Sequence, residues 1–246
     1  MRRLIKFIFL LLLVFVGLQL MNQFLIFTGN KLFDWLRMPN EYEVLTVGIF
    51  QQLIQIFLAI FLAKLLINKN SSEIGINARN LKQSFKYFGY FSLCIIVIIL
   101  AYLFLSYFYF TDLWLEMRNA KLPGVSGIVT KILFQSIFPG LGEELLFRGF
   151  LISLFIKSID LNIEKTGAKI VVSLVSAVFF TMAHIYFQPI PFQITHIDVV
   201  QLLLAFFCSL FYSFMFLKTK SLVGPIISHN FSNVTMTITG YIVSIL

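Results

Sequence analysis

Residues Gly127–Ile156 read GIVTKILFQSIFPGLGEELLFRGFLISLFI. The run is apolar at both ends, yet two adjacent carboxylates and an arginine, Glu143, Glu144 and Arg148, sit in its second half. A helix needs roughly 20 apolar residues to cross the hydrocarbon of a bilayer. This run is too long for one straight span. It also contains Pro139, Gly140 and Gly142. An interior proline removes a backbone hydrogen bond and clashes with the preceding turn. The sequence therefore predicts a kink, or a helix restart, just before Glu143.

Six further apolar segments flank this one: Leu4–Phe27, Val44–Ile67, Tyr87–Phe110, Ile170–Phe187, Val199–Leu217 and Leu222–Ile245. The chain is 59% hydrophobic and 12% charged, and it holds 30 Phe. Mean hydropathy is +0.91. A soluble domain averages about 25% charged residues, and no water-soluble core of this length could hide so many phenylalanines. The expected fold class is all-α: a polytopic transmembrane helical bundle of about seven segments, with the lipid bilayer as its solvent. One integral membrane domain spans 1–246. Residues 1–122 carry the first three segments, and 123–246 form a core that bears the buried charges. The first segment has no small-residue cleavage site after it and reads as an anchor that stays.

The net charge of +8 has a membrane explanation. Arg2, Arg3, Lys6, Lys64, Lys69, Arg79, Lys82, Lys86, Lys157, Lys165, Lys169, Lys218 and Lys220 fall at one set of segment ends; only Lys31, Arg37, Arg118 and Lys121 fall at the other. Basic residues collect on the cytoplasmic side. The expectation is a multi-pass protein of the cell membrane, N-terminus in the cytoplasm and C-terminus outside, with no nucleic acid partner. Cys94 and Cys208 lie mid-run and match neither a zinc spacing nor a disulfide framework.

A charged side chain at the bilayer centre costs about 2.5–3.5 kcal/mol on insertion scales, so such residues face the bundle interior and usually carry function. Glu144 and Arg148 are four apart, the spacing of a helical ion pair. Glu143 is rotated by about 100° from Glu144 and is left without a partner on its own helix. An unpaired carboxylate in such a place finds a cation, a water or a metal, and it can serve as a base. Two histidines lie in other apolar segments. FTMAH sets Phe180 and His184 four apart, and HNFSN sets His229 and Asn233 four apart. Pro225 suits the first turn of the helix that carries His229. His196 is expected in a loop between Pro191 and Asp198, outside the site.

Two designs fit this set. In one, His184, His229 and Glu143 hold a divalent metal such as zinc that lowers the pKa of a bound water. In the other, no metal is bound: Glu143 with a histidine activates water, and His229 and Asn233 stabilise the oxyanion. Both hydrolyse an amide inside the membrane. The soluble zinc-protease pattern H-E-x-x-H is absent.

EELLFR (143–148), FTMAH (180–184) and HNFSN (229–233) resemble, in order, the E-E-x-x-x-R, F-x-x-x-H and H-x-x-x-N/D/B motifs of the CAAX protease and bacteriocin-processing (CPBP, or Abi) family of intramembrane proteases. The resemblance runs from about Gly127 to the C-terminus. It implies an intramembrane peptidase, often labelled a metalloprotease, with its site buried between the C-terminal helices. It acts on a CAAX-type protein, a bacteriocin-like peptide or another membrane-associated substrate. It implies Glu143, Glu144, His184, His229 and Asn233 as catalytic residues, with Arg148 and Phe180 in support. The same residues allow a non-enzymatic alternative: a bacteriocin self-immunity or scaffold protein that binds a peptide or partner. A transporter ranks lower, because it would need paired broken helices in related halves and no repeat is seen.

Overall fold

The computed structural model describes residues 2–188 and 193–246, with side chains at 8–185, 193–195 and 197–246. The chain is an all-α helical bundle. In order it forms α1 (Arg2–Leu36), a 3-10 turn (Asn40–Tyr42), α2 (Glu43–Ile67), α3 (Leu81–Phe108), α4 (Thr111–Arg118), α5 (Val125–Glu144), a π-helical stretch (Leu145–Leu151), α6 (Ile152–Ser158) and α7 (Thr166–Met182). A hairpin of β1 (Tyr186–Gln188) and β2 (Gln193–His196) follows, then α8 (Val199–Thr219) and α9 (Val223–Ile245).

Each of the seven apolar segments forms a helix, the fifth of them only as far as Met182. Five helical stretches are long and apolar enough to cross a membrane among the described residues: Ile8–Leu36, Asn40–Ile67, Leu81–Phe108, Val125–Ser158 and Val199–Thr219. Thr166–Met182 is apolar but short. α9 is long, yet it carries His229, Asn230 and Asn233 together with a series of serines and threonines. Length and composition are those of a multi-pass membrane protein. The outward faces agree: Phe9, Phe24, Phe57, Leu93 and Phe207 are all more than half exposed. In water a surface of that kind would aggregate; in a bilayer it meets hydrocarbon.

Two expectations are corrected. No helix restart precedes Glu143; α5 runs through Pro139, Gly140 and Gly142 to Glu144. The Asn230 carboxamide, from α9, accepts the Gly140 N–H at 2.8 Å and donates to the Ile137 carbonyl at 3.1 Å. A neighbouring helix thus serves the backbone groups beside the proline, as helices in membranes do. The irregularity comes after the two acids, as the π stretch. The second correction concerns His196, which lies in β2 and pairs with Tyr186. Pro191 is outside the described residues. Asp198 caps α8 by accepting the Gln201 N–H at 3.0 Å.

The α2–α3 loop is latched to the α8–α9 turn. The amides of Asn77 and Asn80 donate to the carbonyls of Lys220 and Thr219, both at 3.0 Å. These are terminal carbonyls of α8 that no intrahelical N–H can reach. The Leu222 N–H donates to the Gly75 carbonyl at 2.9 Å, and Gly75 holds φ at +102°, open to glycine without strain. Behind this latch, Ile74, Leu151, Ile152, Phe155 and Leu222 form the main apolar core. α2 presents a buried stripe of Gln52, Gln55, Ala59, Ala63 and Ile67. The small residues in it allow close helix approach and bring its two glutamines against α5.

Candidate active site

Every residue of Leu145–Leu151 is buried. π turns are rare and recur at functional sites. This one follows directly on Glu144 and carries Arg148 into the bundle interior. Glu144 and Arg148 are both fully buried, with Arg148 Nη1 donating to Glu144 Oε1 at 3.0 Å. Arg148 Nη2 donates to the Ser209 hydroxyl. The guanidinium lies over the Phe180 and Tyr212 rings, at 4.5 and 5.3 Å from their centroids. Charge pairing and two aromatic faces together make a buried cation tolerable. Phe180 therefore reaches Arg148 as well as the histidines.

Glu144 also accepts from His229: Nδ1 is 2.7 Å from Glu144 Oε1. The His229 ring is stacked on Tyr212 at 5.4 Å with a 12° interplanar angle, and it meets Phe180 edge-on at 5.7 Å. Tyr212 is held in turn by Ser232, oxygen to oxygen at 3.0 Å. With Nδ1–H committed to a carboxylate, the neutral imidazole presents the lone pair of Nε2. That nitrogen is 3.8 Å from Glu143 Oε2.

Glu143 differs from its neighbour. Its side chain is 20% exposed and borders a cavity of about 530 Å³. It is not without a partner, as its own helix suggested. Gln52 Nε2, from α2, donates to Glu143 Oε1 at 3.3 Å. His184 and Asn233 line the same cavity. α7 ends at Met182, so His184 sits just past the helix rather than inside it. Its Nδ1 donates to the Phe180 carbonyl at 2.8 Å, and the two rings pack 4.8 Å apart. Gln19, from α1, donates to the Met182 carbonyl at 3.0 Å and steadies that turn. Asn233 Nδ2 donates to Gln135 Oε1 at 3.0 Å, which leaves its second N–H for the cavity.

All seven residues singled out from the sequence thus converge on one region. Glu143, His184, His229 and Asn233 face the cavity, while Glu144, Arg148 and Phe180 stand behind His229. Gln52, Gln135, Ser209 and Tyr212 were missed. The signal for Gln52 was visible: Gln51, Gln52 and Gln55 interrupt an otherwise apolar segment, and such amides hydrogen-bond across helices.

The donor set bears on a metal. Both histidines are oriented through Nδ1, one by a carboxylate and one by a backbone carbonyl, which suits ligation through Nε2. Convergence fails, however: no group of three or more His, Cys, Asp or Glu side chains among the described residues is placed to hold a metal ion. The residues as arranged do not fit a resident metal.

Residues 125–235 match the family model of type II CAAX prenyl endopeptidase Rce1-like proteins. Neither a curated protein nor a solved structure matches the chain. The match begins with α5 and ends within α9, so it covers every motif residue and leaves α1 to α4 outside it. Over residues 125–235 the chain is thus similar to the CAAX protease family.

Proposed function

We propose that the chain is an intramembrane endopeptidase and that Glu143 is the general base that activates the hydrolytic water. The observation that carries this reading is the pairing of Glu143 Oε2 with His229 Nε2 at 3.8 Å on a cavity wall. A water at an ordinary hydrogen-bond distance of about 2.8 Å from both atoms closes a triangle with an apex angle of about 85°, which bent hydrogen bonds to both atoms accommodate. Such a water donates to both, and Glu143 takes its proton as the oxygen attacks a peptide carbonyl. The second carboxylate does other work. Glu144, locked by Arg148, holds His229 in the tautomer whose Nε2 accepts.

The tetrahedral intermediate carries an oxyanion, and Asn233 offers a free N–H on the cavity side. With Nδ1 donating to the Phe180 carbonyl, His184 joins it as an imidazolium that has taken its Nε2 proton from solvent in the cavity. The proton on Glu143 then passes to the leaving amine. No step runs through a metal, since the donor set does not converge on one.

The match to the CAAX protease family model and the cavity walls both support a peptide or protein substrate. Besides Glu143, His184 and His229, the polar lining consists of neutral side chains such as Asn22, Gln51, Gln55 and Gln201, set among Leu18, Met21 and Phe134. That lining suits an uncharged stretch of chain lying at membrane depth. A CAAX-type C-terminus and a bacteriocin-like or leader peptide both qualify. The clustering of basic residues supports a cytoplasmic N-terminus and an external C-terminus in the cell membrane.

The test uses the full chain in detergent or lipid. It is given fluorogenic prenylated CAAX peptides and unprenylated leader-type peptides, and products are read by mass spectrometry. Cleavage of either class that disappears in Glu143→Gln supports the reading. Equal cleavage by the variant contradicts it. A chain that binds these peptides without cleaving them favours the immunity or scaffold alternative.

A further inference from the structure

We propose that Gln52 is a positioning residue for Glu143, so that the site needs a helix outside the region that matches the family. The inference rests on the reading of Glu143 as the base. Gln52 lies on α2, 91 residues before Glu143, and its residue is 3% exposed. Its amide nitrogen donates to Glu143 Oε1. The reverse orientation of the amide would set an oxygen against a carboxylate oxygen at the same 3.3 Å, which is repulsive. One carboxylate oxygen is thus tethered, and the other is left aimed at His229 Nε2.

The opposite end of the amide shows that this arrangement has a cost. Gln52 Oε1 is buried with no hydrogen-bond partner. An unsatisfied buried carbonyl is destabilising, and a native one calls for a reason such as a catalytic role. An apolar residue of the same size would remove that penalty from the α2–α5 contact. It would also release Glu143. The contact is built around the glutamine: a Cβ at Gly142 would collide with Gln52 Oε1 and lie 3.1 Å from the Gln52 backbone carbonyl. Gly142 is the notch that admits the amide beside the acid, and it directly precedes Glu143.

Positioning and packing make different predictions for Gln52→Leu. If Gln52 only packs, leucine fills the space and turnover follows stability. If it aims the base, kcat falls by about tenfold to a hundredfold, the size of one hydrogen bond to a charged group. KM stays within about twofold, because ground-state binding is untouched. Gly142→Ala should lower kcat in the same way by displacing the amide while keeping the glutamine.

The experiment measures kcat, KM and the melting temperature of wild type, Gln52→Leu, Gly142→Ala and Glu143→Gln as full chains, with a quenched fluorescent prenylated CAAX peptide as the probe. Infrared difference spectra of wild type minus Glu143→Gln isolate the Glu143 carboxylate bands and need no substrate. The expected results are a kcat-only loss in Gln52→Leu at an unchanged or higher melting temperature, and shifted Glu143 bands. Full kcat in Gln52→Leu while Glu143→Gln is inactive overturns the positioning role alone. Full activity in Glu143→Gln overturns the base assignment and the positioning role together. Unmoved carboxylate bands in Gln52→Leu overturn the positioning role even for a preparation that does not cleave the probe.

Discussion

Glu144 Oε1 stands 2.7 Å from His229 Nδ1 and 3.0 Å from Arg148 Nη1, so one buried oxygen both neutralises the arginine and orients the histidine. Stability and catalysis therefore separate by variant. Glu144→Ala leaves Arg148 as an uncompensated buried cation and should cost about 3–5 kcal/mol. Replacing the pair together, Glu144→Leu with Arg148→Met, should restore most of that stability in a thermal unfolding measurement. The double variant should still be inactive, because His229 loses the carboxylate that sets its tautomer. Activity in the double variant would remove the orienting role of Glu144.

Metal removal should leave activity intact. No three acidic, histidine or cysteine side chains converge among the described residues, and the proposed water is held by Glu143 and His229 alone. Chelator treatment followed by a turnover assay is expected to show no loss, and elemental analysis to show well under one metal ion per chain. Inactivation by chelator with recovery on zinc addition would return the first of the two designs read from the sequence.

The helix contacts that hold α5 make a sharp contrast between two glycines. A Cβ at Gly140 would lie 2.7 Å from the Ile226 backbone carbonyl and 2.7 Å from Asn230 Oδ1. Backbone does not step aside cheaply, so Gly140→Ala should destabilise by about 1–3 kcal/mol as overpacking does. Gly89, inside α3, has nothing within 4 Å of a built Cβ. Gly89→Ala should instead stabilise by about 0.5–1 kcal/mol through helix propensity. Unfolding of both variants in the same detergent reads the difference directly.

Substitutions at the oxyanion side should act on rate. His184→Ala and Asn233→Ala are each expected to lower kcat by about 10²–10³, the size of one lost oxyanion donor, with the protein still folded by circular dichroism. His196→Ala serves as the control, since His196 belongs to β2 and to no motif. It should stay within about twofold of wild type. A large loss at His196 would move the site.

What could be read in advance followed helical geometry. Glu144 with Arg148, Phe180 with His184, and His229 with Asn233 are each four apart, and a regular helix puts such residues on one face whatever surrounds them. The π stretch was not legible, because no residue type marks i→i+5 winding and the residues of Leu145–Leu151 read as an ordinary continuation of the helix. The end of α7 at Met182 was hidden as well, since Ile185, Tyr186 and Phe187 continue the apolar run. Gln52 illustrates a different limit. Its partner lies on another helix far along the chain, and local spacing carries no information about that contact.

The central claim is that Glu143, rather than its adjacent twin, supplies the base. It is tested most directly by the turnover number of Glu143→Gln on a cleaved peptide, with the variant shown by its melting temperature to be folded. The account predicts a fall of about 10²–10⁴, the contribution of a positioned general base. A folded Glu143→Gln protein that cleaves at the wild-type rate would contradict it.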